Sequence, residues 1–304
     1  MDAMNELVQP IATPKSWWKT AVTLFKLRVV SLLLLSAFGG AALGSMVVVH
    51  VTLWNWVLLA ASGLLSAGGA SAINQYLERE RDAKMGRTTK RPLASGEIEK
   101  PHIVLLIGVG MVFAATMIGI LAGNLALAFW VLLGALIYVG VYTVWLKPRT
   151  TLNIVIGGAA GSCAVISGGA AVGAWNALGV WLLAALVFFW TPVHFWALAI
   201  AYREDYIKAD FPMLPAKVSP SVAARWTALH TVITAVFGLA LGFWPQVNWF
   251  YLIPISLATA MLIFRTINLL NNPTQRKAAF ALFHFSNLYL ALVLVIVILA
   301  SFWR

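Results

Sequence analysis

The sequence predicts an all-α polytopic membrane protein: nine transmembrane helices in one bundle, with the N-terminus cytoplasmic. Three observations lead there. The 304 residues are 61% hydrophobic and only 10% charged, too little charge for a water-soluble domain to cover its surface. The apolar residues fall into nine runs of about 20, the length that crosses a ~30 Å hydrocarbon core as a helix. Lys and Arg collect in alternate connections, the pattern left by a chain that threads back and forth with its basic loops retained inside.

Helices are expected because each run in lipid must satisfy its own backbone N–H and C=O groups. In chain order the spans are Leu27 to Val49, Leu53 to Leu77, His102 to Ala122, Leu125 to Leu146, Leu152 to Val172, Ala177 to Ala201, Val222 to Phe243, Trp249 to Leu270 and Phe280 to Phe302. Polar or Gly/Pro/Asn breaks separate them. No polar linker divides the chain, so residues 27–304 read as one membrane domain. Residues 1–26 read as a short amphipathic cytoplasmic lead. That lead lacks the pattern of a cleaved signal, and acidic Asp2 and Glu6 argue against an organelle presequence. A bacterial cytoplasmic (inner) membrane is the expected home.

The charge count supports nine spans independently. Of 21 basic residues, all but Arg304 lie in the N-terminal lead and the start of the first span or near the connections after spans two, four, six and eight. The opposite connections, Met46 to Asn55, Ala122 to Asn124, Gly173 to Asn176 and Trp244 to Asn248, carry no Lys or Arg. All ten carboxylates also lie on the basic side. Short loops that need no charge explain this as well as a polar reaction mouth does. Cys163 is the single cysteine, so no intramolecular disulfide or thiolate cluster is possible and it reads as packing. Nothing suggests nucleic-acid binding.

Two acidic segments carry the chemistry. Asn74, Glu78 and Asp82 stand four apart at the end of span two and so share one helical face. Three oxygen-bearing side chains in a row suit Mg2+, a hard ion whose shell is usually completed by water and substrate phosphate. The same spacing also fits a solvated helix end whose charges pair with one another. Arg87, Lys90 and Arg91 follow closely and are suited to neutralising a departing pyrophosphate. The second segment follows span six, with Glu204, Asp205 and Asp210. The two segments end spans four apart, so the chain resembles a degenerate four-helix repeat.

Four blocks in order, Asn74 to Leu93, Tyr142 to Lys147, Thr151 to Gly158, and Thr191 to Leu198 followed by Asp205 to Pro215, resemble the UbiA-type membrane prenyltransferases. Within that family they are similar to the haem-directed members. The chain departs at Glu78, where the family's first motif usually has Asp. It also has Ala209 where a second Asp would follow Asp205, with Asp210 one residue late.

The resemblance implies transfer of farnesyl from farnesyl diphosphate to a vinyl group of protohaem IX (haem B) with addition of water, for the cofactor of haem-copper terminal oxidases. It implies Mg2+ held by Asn74, Glu78, Asp82, Asp205 and Asp210. Asn74, Glu78, Asp82, Asp205 and Lys147 become the catalytic set, and Arg87, Lys90, Arg91 and Lys147 the diphosphate clamp. His194, an ionisable residue inside span six and therefore a functional candidate, is assigned to the acceptor with Tyr142 and Tyr206. Tyr76 and Trp145 are further cation-shielding candidates or interfacial aromatics. His50, His102, His230 and His284 are left unassigned. A downstream haem A synthase or oxidase assembly factor is the implied protein partner, and the lipid bilayer the implied solvent.

Two other functions compete. A sister prenyltransferase would act on a quinone or chlorophyll precursor. A secondary transporter would place its polar groups and broken helices at the bilayer midplane, whereas these carboxylates gather at one edge.

Overall fold

The computed structural model describes residues 17–244 and 247–302. Expectations for residues 1–16, Asp2, Glu6 and Lys15 among them, and for Arg304 lie outside these. Among the described residues nine helices are long and apolar enough to cross a membrane, and the chain is a multi-pass membrane protein.

A short helix α1 (Trp17–Leu24) precedes the first span. Its Trp17 and Trp18 are exposed, as suits aromatics at headgroup depth. Gln75 Nε2 donates to the carbonyls of Thr23 and Leu24 at 2.7 and 2.8 Å, and Thr20 hydrogen-bonds Glu97. Lys26 then adopts a left-handed conformation, φ 48°, which costs a non-glycine residue about 1–2 kcal/mol. The turn separates α1 from the first span, α2 (Leu27–Ser45).

The second span, α3 (Leu53–Asp82), is 30 residues long and continues past the expected end at Leu77. Glu and Arg are good helix formers, so the helix leaves the apolar zone without unwinding and carries its acidic face with it. α4 (Pro101–Leu121) and α5 (Leu125–Leu136) follow. The fourth span finishes as a π-helix, Ile137–Leu146, whose last turn closes by the Lys147 N–H donating to the Tyr142 carbonyl at 2.8 Å. The fifth span is broken at Gly158 into α6 (Asn153–Gly157) and α7 (Ala159–Ala171). The sixth is α8 (Leu178–Ala201), after which α9 (Arg203–Lys208) and α10 (Leu214–Lys217) form a short cap. α11 (Pro220–Ala240), α12 (Asn248–Asn271) and α13 (Arg276–Ala300) complete the chain.

Neighbours in sequence are mostly neighbours in space, and α13 packs against α2 to close the bundle. The tightest crossing is α2 on α7. A Cβ on Gly40 would fall on the Val165 carbonyl, and one on Gly168 on the Ala37 carbonyl, so these backbones meet as small-residue helices do in membranes. On the far side, Thr231–Thr266 and Thr259–Tyr289 contacts at 3.2 Å, with Tyr251 donating to the Gly238 carbonyl at 2.7 Å, tie α11, α12 and α13 together. Such interhelical bonds contribute about 0.6 kcal/mol each. They leave the other half of the bundle to enclose a cavity.

Candidate active site

A cavity of about 590 Å³ lies among α2, α3, α5 and the π-helix that continues it, α6, α7, α8, α9 and α13. Residues of α4, α11 and α12 do not line it, so these helices buttress it from outside. Its wall changes character along its length. The α3 C-terminal end is edged by Lys26, Asn74, Glu78, Asp82, Arg87, Arg91 and Lys147; the remainder is mostly apolar, with Trp130, Val187, Trp190, Phe283 and Leu290.

Asn74, Glu78 and Asp82 form an oxygen ladder on one face of α3, all three buried. Each rung meets a different cation. Lys26 Nζ lies 2.6 Å from Asn74 Oδ1, Lys147 Nζ 2.5 Å from Glu78 Oε1, and Arg91 Nη1 2.6 Å from Asp82 Oδ2. Asn74 Nδ2 also donates to Thr143 Oγ1 at 3.0 Å, which pins the amide against the π-helix. These cations arrive from the turn before α2, from the end of the fourth span and from the loop after α3. The ladder is therefore where three remote segments converge.

Lys26 is the most constrained of the three. Burial, with the nearby Arg91 cation next in weight, pushes its ammonium down to about 8. It also donates to Tyr138 OH at 3.1 Å. Arg87 reaches the Tyr206 hydroxyl at 3.3 Å, and burial raises that phenol above its ordinary value despite the guanidinium beside it.

Aromatic faces border this basic end. Tyr138 stacks on Tyr142 at 5.8 Å, and Lys147 Nζ lies 5.6 Å from the Tyr142 ring and 4.7 Å from that of Phe211. Gly157 makes room for Tyr142, since a Cβ there would stand 2.7 Å from the ring. On the opposite wall the His194 ring lies between Trp190 and Phe283, both centroids 4.6 Å away.

The expected site residues divide into two groups. Asn74, Glu78, Asp82, Arg87, Arg91, Lys147, Tyr142, Tyr206 and His194 all line the one cavity. Lys90, Asp205 and Asp210 do not. Lys90 is exposed, while Arg87 and Arg91 of the same loop reach the cavity wall. Asp205 is half-buried in α9 beside Gly86. Asp210 is not brought to the ladder: its left-handed backbone, φ 48°, turns the chain outward, and its carboxylate pairs with Lys217 at 3.5 Å with 94% of its side chain exposed. Tyr76 and Trp145 also lie off the cavity wall, Tyr76 under Arg79 at 4.5 Å and Trp145 exposed.

Lys26, Tyr138 and Phe211 join the site without having been singled out. In the sequence Lys26 is one of several cations in the lead and the start of the first span, with nothing to set it apart, and the signal for Tyr138 is a second tyrosine four residues before Tyr142.

Among the described residues no three His, Cys, Asp or Glu stand together as a metal-binding group. The ladder still fits Mg2+. It offers two carboxylates and an amide oxygen, each facing positive charge, and Mg2+ takes one or two carboxylates and fills its shell from water and phosphate.

The sequence pattern of the UbiA prenyltransferase family matches residues 33–303. A protoheme IX farnesyltransferase of Saccharolobus islandicus is 40% identical over 284 residues, covering 93% of this chain and 97% of that one. Another, from Sulfolobus acidocaldarius, is 41% identical over 280 residues, with 92% and 95% covered. Among solved structures, one of digeranylgeranylglyceryl phosphate synthase matches with a TM-score of 0.75 at 16% identity, over 94% of this chain and 99% of that one. A UbiA homolog from Archaeoglobus fulgidus bound to GPP and Mg2+ matches at 0.62 and 17% identity, over 91% and 99%. At these identities the structural likeness concerns the fold.

Proposed function

The chain belongs to the UbiA prenyltransferase family, and from that premise we propose that it transfers the farnesyl group of farnesyl diphosphate to a vinyl group of protohaem IX, with addition of water, giving haem O and diphosphate. The observation that carries this is the oxygen ladder of Asn74, Glu78 and Asp82 under Lys26, Arg91 and Lys147, at the polar end of an otherwise apolar 590 Å³ cavity. A prenyl diphosphate has the same division, an anionic head on an apolar tail.

The diphosphate sits among Arg87, Arg91, Lys147 and Lys26, with Lys90 adding charge from the outer face of the same loop. Asn74, Glu78 and Asp82 on α3, with Asp205 of α9 nearby, would hold the metal. Mg2+, when bound there, neutralises the leaving diphosphate and eases ionisation of the allylic C–O bond. Arg87 and Arg91 supply the forked donors that suit phosphate oxygen, and Lys147 a point charge. Tyr138, Tyr142 and Phe211 present π faces where positive charge develops on the farnesyl, and the apolar wall keeps bulk water from quenching it. The flat acceptor lies against α8 and α13, near His194, with Tyr142 and Tyr206 at its polar edge.

We read residues 27–304 as the catalytic membrane domain and 1–26 as its cytoplasmic lead. The ladder then opens toward the cytoplasm from a cytoplasmic membrane. Curated relatives from Saccharolobus and Sulfolobus are archaeal, so this location is a cell's cytoplasmic membrane rather than specifically a bacterial one. Haem O passes next to an enzyme or assembly factor that handles modified haem. The test is incubation of purified protein with haem B, farnesyl diphosphate and Mg2+, followed by mass spectrometry. The expected product is haem plus farnesyl plus water; unchanged haem beside turnover of a quinone or chlorophyll precursor assigns the chain to a sister activity.

A further inference from the structure

The reaction above includes a step that the ladder does not serve. When the C–O bond of farnesyl diphosphate breaks, diphosphate leaves with the bonding pair. The terminal vinyl carbon gives its π pair to farnesyl C1, and the other vinyl carbon is left positive beside the porphyrin ring. A water oxygen bonds to that carbon, and one water proton must depart. Without a group to take it, the cation sheds a proton from its neighbouring carbon instead, and an alkene one water lighter results.

The receiving group must have a free lone pair, stand on the cavity wall and lie away from the departing anion. At the basic end Glu78 is engaged with Lys147, Asp82 with Arg91, Tyr138 with Lys26 and Tyr206 with Arg87, and Tyr142, a neutral phenol, is a far weaker proton acceptor than an imidazole. Among the described residues lining the cavity, His194 is the one imidazole. Its ring stacks on Trp190 with an interplanar angle of 19° and lies tilted against Phe283 at 31°. Trp190 is itself anchored by Nε1 donating to the Ser286 carbonyl at 2.7 Å. Rotation is thus restrained, while His194 Nδ1 has no hydrogen-bond partner. The protein does not dictate through Nδ1 which nitrogen carries the proton, and the tautomer stays free to follow a ligand.

The depth also fits. His194 precedes the end of α8 at Ala201 by seven residues, and Asn74 precedes the end of α3 at Asp82 by eight. At 1.5 Å per residue each lies roughly 10–12 Å below its helix end. Both residues line the one cavity, the imidazole from a wall of its own, where an acceptor attacking farnesyl C1 would present its second vinyl carbon.

We propose that His194 is the general base that receives the proton of the added water. The proposal rests on the haem-farnesylating reading above.

Purified wild type, His194→Gln and His194→Phe are given haem B, farnesyl diphosphate and Mg2+; products are resolved by mass, and haem binding is followed by the Soret band. The expected result is haem binding and Soret position as in wild type, hydrated product formed on the order of 10²-fold more slowly, and a new product one water lighter. Imidazole added to His194→Gly restores the hydrated product, a rescue that a folding defect would not allow. Hydrated product at the wild-type rate in the variants overturns the proposal, as does a shifted Soret band or lost haem affinity, which assigns His194 to the iron. Wild type that leaves haem unchanged removes the functional reading and this inference with it; unaffected variants beside an active wild type remove the inference alone.

Discussion

Lys26 Nζ stands 2.6 Å from Asn74 Oδ1, a contact between residues 48 positions apart that closes the innermost rung of the ladder with a cation. Lys26 makes that contact from a left-handed turn, φ 48°, and backbone strain of this kind clusters at functional sites. Lys26→Met is expected to raise KM for farnesyl diphosphate by about 10–100-fold, the range of a lost hydrogen bond to a charged group. Lys26→Arg is expected to recover part of it. Steady-state kinetics at saturating haem separates this from a loss of kcat.

Removing a rung rather than its partner acts on chemistry. Asp82→Ala and Asn74→Ala are expected to give folded, inserted protein that makes no detectable farnesylated haem, a loss of at least about 10²-fold. Size-exclusion chromatography checks folding and mass spectrometry checks product. Normal product from either variant with Mg2+ present sinks the diphosphate site.

The Glu78–Lys147 pair is almost enclosed, with side chains 6% and 12% exposed. Lys147→Ala strands a buried carboxylate and is expected to destabilise by about 3–5 kcal/mol. The double variant Lys147→Met with Glu78→Gln removes both charges and is expected to melt close to wild type while remaining inactive. Thermal melting in detergent followed by tryptophan fluorescence, with parallel activity assays, distinguishes stability from catalysis.

Asp205 and Asp210 make opposite forecasts although both come from one segment. Asp210→Asn loses only a solvated pair with Lys217, so activity is expected to stay within about twofold, as for a surface change. Asp205→Asn, beside the loop that carries Arg87 and Arg91, is expected to lower kcat/KM about tenfold or more, the effect of ~1.4 kcal/mol. Side-by-side rate measurements decide; equal losses in the two would put Asp210 back among the ligands.

Gly157→Ala places a methyl 2.7 Å from the Tyr142 ring. Overpacking of that kind costs about 1–3 kcal/mol, and the displaced ring no longer faces the diphosphate end, so both melting temperature and kcat are expected to fall. Gly140→Ala, with nothing within 4 Å of the added carbon, is the matched control.

What was legible in the sequence follows from how local each feature is. The spans could be read because hydrocarbon thickness dictates their length, and the register of Asn74, Glu78 and Asp82 because one helical turn dictates their spacing. Lys26 escaped because its partner lies 48 residues away and the turn that aims it uses a backbone conformation no propensity suggests for lysine. Tyr138 shares a face with Tyr142 by ordinary helical counting but escaped because its partner Lys26 is remote in sequence, while the wider π turn adds Thr143 and Lys147, five residues after Tyr138 and Tyr142, to the side facing α3. Asp210 looked equivalent to Asp205 on a linear count, yet one left-handed residue sends it to solvent.

The cavity is lined by two carboxylates, Glu78 and Asp82, against five cations, Lys26, Arg28, Arg87, Arg91 and Lys147. That imbalance favours an arriving anion and restrains a departing one equally. Release of pyrophosphate, rather than bond breaking, then becomes the natural bottleneck of turnover, as it is in many enzymes. Raising ionic strength should affect entry and exit in opposite senses, slowing capture of dilute substrate while quickening the catalytic cycle at saturation.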